Sequence, residues 1–389
     1  MSKAGEGVGV VARGARVASI DVLRGLVMMI MMVDHVREAF FLHYPVSDPM
    51  NLADTDPAVF FGRVLAHFCA PVFVFLTGLS AWLYAHPSSG PRSPGGFLFK
   101  RGLFLILLEI TLITGVWAVQ LSPPTIYLQV IWAIGLSMIV LAVLHRLPRG
   151  ALIALGLIIV FGHNLLTPIS FQPGDAGYIP WTILHDRGFL VSEGPLRIKI
   201  SYPLLPWIGV ILLGYAVGPW YASATAPERR RQLLLRAGVT ALALLAVLRG
   251  FNIYGETLPW QRGADLLHSV MSFLNVTKYP PSLAFLLLTL GVGLLVLAWL
   301  ERHDNWFLRA SAVFGGAPMF YYLLHLYVLL ALQFAALAWL GANYGSRYEF
   351  EHLWQVWLLS AVLVPLLYLP CRAFGNFKRR SAMAWVRYL

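Results

Sequence analysis

Charged residues are scarce in this sequence: Asp, Glu, Lys and Arg make up only 12% of its 389 residues. An ordinary soluble domain carries about twice that fraction. Hydrophobic residues reach 58%, and the mean hydropathy is +0.70. Because so few charges cannot cover a soluble core of this size, the composition excludes a soluble globule and predicts an integral membrane protein.

Other features are missing as well. The sequence contains only two cysteines, Cys69 and Cys371, each inside an apolar run, so neither a disulfide framework nor a cysteine-based metal site is expected. The inner turns lack a glycine-rich P-loop, which argues against an ATP-driven pump. The first 20 residues have no apolar core long enough for a cleavable signal peptide, so we expect the first span to anchor the protein uncleaved.

Apolar runs long enough to cross a bilayer recur along the chain and are separated by polar, Gly-rich or Pro-rich breaks. We therefore predict an all-α, polytopic membrane protein of about ten transmembrane helices. The domain prediction is a disordered cytoplasmic tail over 1–18, one transmembrane domain over 19–374 and a basic cytoplasmic tail over 375–389. The predicted spans are 21–42, 59–85, 97–119, 124–144, 150–167, 203–222, 236–252, 280–300, 311–340 and 354–373.

The basic residues predict the orientation of these helices. Most of the 29 Lys and Arg residues fall in the even-numbered turns and at the two ends of the chain. By the positive-inside rule, both termini are cytoplasmic and the protein is a multi-pass protein of the plasma (inner) membrane. The net charge of +11 follows from that rule and from anionic lipid, so it indicates no nucleic-acid partner.

The first predicted span carries ionisable residues where a membrane helix normally has none. Arg24 and His35 are eleven positions apart, within about 20° of three full helical turns, so both lie on one face about 16 Å apart. Asp34 projects about 100° away and could orient an imidazole or meet a neighbouring helix. Arg24 alone could be a snorkelling arginine, whereas an adjacent acid and histidine deep in a span indicate function.

Five further residues in or beside the spans are weaker candidates. An isolated acid in the third span must find a donor, and two histidines could be substrate ligands or hydrogen-bonded core residues. A Lys-Tyr pair stands just before two prolines that begin the eighth span; it could bind an anion or a hydroxylated acceptor, or belong to the interfacial aromatic belt. These residues are Glu109, His67, His325, Lys278 and Tyr279.

Four segments together resemble a known family. The run "RVASIDVLRGLVMMIMMVDH" is similar to the opening helix of the bacterial relatives of heparan-alpha-glucosaminide N-acetyltransferase. The later segments "SYPLLPWIGVILLGYAVG", "FLNVTKYPPS" and "APMFYYLLHL" resemble further signatures of that group, in the same order. The group belongs to a wider set of transmembrane acyltransferases that includes the acyltransferase-3 proteins, in which an arginine precedes a histidine with ten residues between them.

The resemblance implies a transmembrane acyltransferase domain over 19–374. It would transfer an acyl group, usually acetyl, from acetyl-CoA on the cytoplasmic side to a sugar or glycan on the outer side. The Arg-His pattern falls on Arg24 and His35. On this interpretation the candidate catalytic residues are His35, Asp34 and His43. The candidate donor-binding residues are Arg24 and His67, and the candidate acceptor-binding residues are Lys278, Tyr279 and His325.

Two questions stay open at the sequence level. The animal lysosomal enzyme has an asparagine in place of His35 and uses a histidine farther along the chain, to which His43 is nearest here. The base is therefore either His35 or His43. The competing function is a proton-coupled secondary transporter with Asp34, His35 and Glu109 as a relay. The expected partners are acetyl-CoA, the glycan acceptor and membrane lipid, with no metal and with a homodimer as one option for assembly.

Overall fold

A computed structural model describes residues 6–118 and 124–389, with side chains from residue 18 onward except at 384 and 387, and the described chain is mostly helical. Its α-helices are α1 (Glu6–Phe40), α2 (Pro57–His67), α3 (Cys69–Ala85), α4 (Gly95–Leu108), α5 (Thr114–Ala118), α6 (Val130–Leu144), α7 (Arg149–Gly162), α8 (Tyr178–Leu184), α9 (Leu205–Ala216), α10 (Pro227–Gly250), α11 (Leu266–Leu274), α12 (Leu283–Leu300), α13 (Trp306–Gly316), α14 (Pro318–Leu340) and α15 (Leu353–Arg380). A π-helical turn, Glu109–Ile113, joins α4 to α5, and short 3-10 turns occupy His163–Leu166, Gly218–Tyr221 and Ala384–Arg387.

The chain divides into two compact units. The first unit comprises Met1–Cys69, Ala226–Ala237 and Gly293–Leu389. The second unit comprises Ala70–Thr225 and Gly238–Val292. The first unit therefore contains α1, α2, α13, α14 and α15, which are the helices that carry most of the candidate site.

Six helical segments in the described part of the chain are long and apolar enough to cross a membrane. In three of them only 22% of the apolar window is buried inside the protein, so these helices offer a hydrocarbon surface that lipid would cover. α1, the first predicted span, does not belong to this group because acids and arginines interrupt it. The six segments are Pro57–Ala85, Arg149–Leu166, Pro227–Gly250, Leu283–Leu300, Pro318–Leu340 and Leu353–Arg380.

The helical class predicted from the sequence is confirmed, whereas the number of spans near ten and the side of the termini stay predictions. Two helices run past the predicted domain boundaries. α1 already begins at Glu6, inside the predicted tail 1–18, and α15 continues to Arg380, inside the predicted tail 375–389. The last turn of α15 carries Lys378, Arg379 and Arg380, and cationic side chains stabilise the carbonyl end of a helix.

The first unit is held together by a close crossing of α1 and α13. A Cβ at Gly25 would collide with the backbone carbonyl of Ser311, and a Cβ at Gly315 would collide with the carbonyl of Asp21. Only glycine at both positions allows the two backbones to approach so closely, as small residues do in membrane helix pairs. The crossing fixes which residues of the Arg24 end of α1 face α13.

The second unit contains a small sheet that the all-α prediction did not include. Strand β1 (Thr125–Leu128) pairs in parallel with β3 (Arg197–Ile200), and β3 pairs antiparallel with β2 (Gly188–Val191). β1 lies at the start of the predicted span 124–144. A short apolar run beside prolines does not distinguish a buried strand from the first turn of a helix, and this is why the prediction was wrong there.

Candidate active site

Helix α1 brings the sequence candidates into the first unit. From Val22 to Phe40 it contains four Met residues, no proline, and Gly25 as its one glycine, so a continuous helix is favoured across this stretch. Arg24 and His35 consequently lie on a single helix, as predicted. Arg24 contacts α13, and His35 contacts α14, the next helix along the chain.

His35 is paired with His325 of α14. The Nδ1 atom of His35 lies 2.6 Å from Nε2 of His325, and the two ring planes are nearly parallel, with 10° between them. Tyr322 packs edge-on against both rings. His325 is fully buried, whereas His35 is partly exposed. The sequence placed His325 among acceptor-binding residues; the structure places it directly behind the candidate catalytic histidine.

The hydrogen bonds of His325 determine the tautomer of the pair. Nδ1 of His325 lies 2.8 Å from the Tyr321 carbonyl oxygen, which can only accept, so this nitrogen carries the proton. Nε2 of a neutral His325 is then an acceptor, and Nδ1–H of His35 donates to it. The lone pair of His35 is thereby placed on Nε2, on the opposite side of its ring from His325.

Asp34 belongs to an ionic cluster between α1 and α2. Both of its carboxylate oxygens lie 3.0 Å from Nη1 of Arg63 on α2, and Arg37 approaches at 3.5 Å. Glu38 lies 3.6 Å from Arg37 and 3.7 Å from Arg63. Because both arginines are buried, this cluster of two acids and two arginines fastens α2 to the last turns of α1. The catalytic role of Asp34 stays a prediction.

His43 is paired with a carboxylate. Oε2 of Glu349 accepts hydrogen bonds from both Nδ1–H and the backbone N–H of His43, at 2.8 and 2.6 Å. Tyr344 stacks on the imidazole with ring centroids 4.2 Å apart. The Glu349 side chain is 5% exposed and that of His43 is 16% exposed. An imidazole held by a buried carboxylate through Nδ1 is the arrangement found in catalytic His-acid pairs.

The loop that carries Glu349 is firmly attached. The Asn343 side chain donates to the Glu349 carbonyl and accepts from its backbone N–H, both at 2.8 Å. The next residue, Phe350, donates its backbone N–H to the Phe40 carbonyl at 2.6 Å and stacks on the Phe40 ring. Glu349 is therefore held next to the C-terminal end of α1, where His43 follows.

The two candidate donor-binding residues lie at different places in the first unit. Nη1 of Arg24 lies 2.7 Å from the Asp21 carboxylate and donates to the Gly315 carbonyl at 3.0 Å. His67 is the last residue of α2 and is buried. A role for either residue in holding the donor stays a prediction.

Lys278 and Tyr279 belong to the second unit. The Tyr279 hydroxyl donates to the Tyr202 hydroxyl at 3.2 Å, and the guanidinium of Arg187 lies over the Tyr279 ring at 4.6 Å. Lys278 is buried, and its Nζ lies 5.1 Å from the same ring. Glu256 accepts bonds from residues 277 and 282 on either side and fixes the segment. An aromatic face bordered by cations suits a sugar, but acceptor binding stays a prediction.

Glu109, the isolated acid, has a structural explanation within the second unit. Its carboxylate is buried and accepts the backbone N–H of Trp132 at 3.0 Å. Trp132 lies in the first turn of α6, where backbone N–H groups lack partners inside the helix. Glu109 thus caps the N-terminus of a neighbouring helix, which weakens its assignment as a member of a proton relay.

Sequence reasoning missed two residues of the site. Arg63 and Glu349 are the partners of Asp34 and His43, and neither was singled out. A signal existed for Arg63, because a buried arginine inside an apolar span needs an acid. No comparable signal existed for Glu349, which lies in a polar loop segment between two spans.

The described residues contain no group of three or more His, Cys, Asp or Glu side chains that could hold a metal ion. Both cysteines are buried free thiols, and Cys69 donates through Sγ to the Val27 carbonyl at 3.3 Å.

Together, the apolar helices and the two partnered histidines define a helical membrane protein with a candidate acid-base site on its first helix. The chain belongs to the family of heparan-alpha-glucosaminide N-acetyltransferase catalytic domains, whose family model matches residues 16–250. No curated protein matches it. The matched range includes Arg24, Asp34, His35 and His43, whereas His325 and Glu349 lie beyond it. The family indicates a transmembrane acetyltransferase.

Proposed function

We propose that this protein transfers an acetyl group from cytoplasmic acetyl-CoA to an amino or hydroxyl group of a glycan on the opposite side of the plasma membrane. The observation that carries the proposal is the hydrogen bond between His35 and His325, which places the lone pair of His35 on Nε2. The proposal is supported by the family of the chain and by its apolar helices. The family name does not establish heparan sulfate as the acceptor.

The orientation is part of the proposal. The Arg24 end of α1 lies with the basic end of α15, and the positive-inside rule assigns such an end to the cytoplasm. Both termini are then cytoplasmic. The donor enters at the Arg24 end, and the acyl group reaches His35 after about 16 Å along the helix. His43, beyond the C-terminal end of α1, then faces the side of the acceptor.

The chemical step needs a base and a leaving group. Nε2 of His35 takes the proton of the acceptor amine or hydroxyl as that atom forms a bond to the thioester carbonyl carbon. The carbon–sulfur bond breaks, and the CoA thiolate takes the proton from the His35 imidazolium. The products are acetylated acceptor and free CoA thiol, and both histidines return to the neutral state.

His43 is the second candidate base, and its pairing with Glu349 supports it. A carboxylate behind Nδ1 stabilises the imidazolium that forms when Nε2 takes a proton. The two histidines make different predictions. If His35 is the base, His35→Ala abolishes transfer and His43→Ala only weakens it, whereas the reverse pattern assigns the base to His43.

The test uses purified full-length protein in lipid nanodiscs, supplied with acetyl-CoA and a panel of amino sugars and cell-envelope glycans. Wild-type protein is expected to release CoA thiol and to acetylate at least one acceptor. His35→Ala is expected to lose both signals while it still inserts into the membrane. His303→Ala is the matched control, because that histidine is exposed and contacts only Trp299 among the contacts described for it.

Two results would contradict the proposed function. Wild-type rates in both His35→Ala and His43→Ala would remove the proposed chemistry. Uptake of a labelled substrate into sealed vesicles, driven by a proton gradient and without thiol release, would favour the secondary transporter instead.

A further inference from the structure

A cavity of about 350 Å³ lies at the basic end of the first unit, where the Arg24 end of α1 meets α13 and the end of α15. Its lining includes Asp21, Arg309, Arg372, Lys378 and Arg379. We call it the basic cavity. Two glycines leave it open, and a Cβ at one of them, Gly316, would meet no atom within 4 Å. A volume of this size falls within the range of small-ligand pockets.

The charges around the basic cavity are unbalanced. Four cationic side chains line it, and Asp21 is the one carboxylate in the lining. Asp21 already forms an ion pair with Arg24 at 2.7 Å, and it also interacts electrostatically with Lys378. Arg309 is held from outside the cavity by Asp304 at 2.8 Å. One carboxylate cannot neutralise both Arg24 and Lys378, so the lining keeps an excess of positive charge, to which Arg372 and Arg379 contribute.

These two arginines suit a phosphate group. Arg379 donates a hydrogen bond to Asn376 of its own helix. Its Nη1 lies 4.0 Å from the place that a Cβ at Gly375 would occupy, over the cavity. Both side chains are exposed, so a ligand can reach them. A planar guanidinium presents paired donors that match the oxygens of a phosphate, and the resulting hydrogen bonds are charge-assisted.

We propose that the basic cavity binds a phosphate-bearing ligand. Two sources offer this chemistry: the phosphorylated nucleotide end of the acyl donor, and the headgroup of an anionic phospholipid. The first source rests on the proposed function, because the cavity then holds the donor at the start of the helix that leads to His35. The second source does not depend on acetyl transfer.

The test measures binding to the full chain in nanodiscs. In the first arm the probe is adenosine 3′,5′-bisphosphate, with nanodiscs of phosphatidylcholine. In the second arm the nanodiscs contain an equal mixture of phosphatidylcholine and phosphatidylglycerol, and the lipid retained by the protein is quantified after mild detergent extraction. The variant is the double substitution Arg372→Gln/Arg379→Gln. The matched control is Arg380→Gln, which removes an exposed charge from the same turn of α15 outside the cavity lining.

If the donor is the ligand, the double variant weakens nucleotide binding about tenfold for each lost charge-assisted contact, and about a hundredfold for the pair. If the lipid is the ligand, nucleotide binding is unchanged and the retained phosphatidylglycerol is lost. Arg380→Gln matches wild type in both arms. A second variant, Gly316→Leu, fills the cavity without changing any charge and is expected to reproduce the loss.

The proposal is overturned if the double variant and Gly316→Leu match wild type in both arms. The outcome for the proposed function is read separately. Nucleotide binding that depends on the two arginines, in a protein that transfers no acetyl group to any acceptor, would leave the cavity assignment standing and remove only the proposed function. Normal acetyl transfer together with wild-type binding in both variants would leave the proposed function standing and remove only the cavity assignment.

Discussion

His35 and His43 differ in the partner that faces their Nδ1 atoms. Behind His35 stands the fully buried imidazole of His325, at 2.6 Å. Behind His43 stands the carboxylate of Glu349, at 2.8 Å. Both partners accept Nδ1–H and so select the same tautomer, with the lone pair on Nε2. The two partners differ in charge. A neutral imidazole only fixes the orientation of the histidine, whereas a carboxylate also stabilises a proton bound to it.

The partner at Nδ1 affects what each histidine can do during proton transfer. A neutral partner fixes the orientation of a base without adding charge, whereas a carboxylate partner also stabilises the imidazolium that forms during proton transfer. Under the proposed function, His35 serves the transfer step from its place within α1, and His43, beyond the end of that helix, binds or activates the acceptor. The predictions below test this division, beginning with the largest expected effect.

Removing the partner of His35 is expected to have the largest effect. His325→Phe deletes the acceptor for Nδ1–H, so the orientation and the tautomer of His35 are no longer fixed. We expect kcat for acetyl transfer to fall about 100- to 10,000-fold, the range attributed to a general base. KM for the acceptor should change little. Steady-state kinetics of CoA release measure both quantities.

The control for that prediction is His325→Gln. A glutamine carbonyl can accept Nδ1–H of His35, while its amide can donate toward the Tyr321 carbonyl. We expect this variant to recover much of the lost rate. Equal losses in the Phe and Gln variants would mean that His325 acts in some way other than as an acceptor.

The sequence could supply His35 but not its pairing with His325. The sequence along 24–35 predicted correctly that Arg24 and His35 lie on one helix, because neighbouring residues determine a helix. His325 lies 290 positions away, and the two rings meet because α1 crosses α13 and α14 in one particular way. That crossing depends on the reciprocal fit of Gly25 and Gly315, which no local pattern reveals.

Removing Arg63 tests whether Asp34 belongs to the His35 pair. Arg63→Ala leaves Asp34 and Glu38 with one arginine in place of two. Breaking a buried ion pair in this way is expected to lower the free energy of unfolding by about 3 kcal/mol. Thermal unfolding in detergent measures the loss, and Arg63→Lys, which keeps the charge, should lose less.

Activity in the same variant sharpens the interpretation. We expect transfer per folded molecule to stay near wild type, because His325 and not Asp34 lies against Nδ1 of His35. If stability is normal but transfer per folded molecule collapses, Asp34 returns to the catalytic group as the sequence suggested.

Removing the charge behind His43 is expected to have a smaller effect. Glu349→Gln keeps an oxygen that accepts from Nδ1–H and from the backbone N–H of His43, and it removes the negative charge alone. We expect a loss of about tenfold in kcat/KM, mostly in KM for the acceptor, if His43 binds or activates the acceptor. Glu351→Gln is the matched control, because Glu351 is an exposed acid two residues farther along.

The opposite pattern in Glu349→Gln would exchange the two roles. A loss confined to kcat and as large as that of His325→Phe would make His43 the base.

The fold illustrates the same limit of sequence reasoning. Each of the six long apolar segments coincides with a predicted span, because about 20 consecutive apolar residues identify a spanning helix by themselves. The sequence did not predict the sheet of β1, β2 and β3. Each strand has only four residues, and β1 pairs with β3 across a gap of about 70 positions. Local pattern predicts elements, whereas pairing depends on the whole chain.

The smallest expected effect comes from the loop that holds Glu349. Asn343→Ala removes both hydrogen bonds between its side chain and the Glu349 backbone, but leaves the bond between Phe350 and Phe40 in place. The loop stays attached, and Glu349 gains freedom near His43. Each lost bond is worth about 1 kcal/mol, and we expect the equivalent of one of them, about fivefold, to be lost from kcat/KM and the rest to appear as a small fall in Tm. Asn343→Asp, which keeps the acceptor for the Glu349 N–H, should fall between Ala and wild type.

An unchanged kcat/KM in Asn343→Ala together with a loss in Glu349→Gln would mean that His43 needs the carboxylate but not its fixed position. The His43 pair would then depend on charge, whereas the His35 pair depends on geometry.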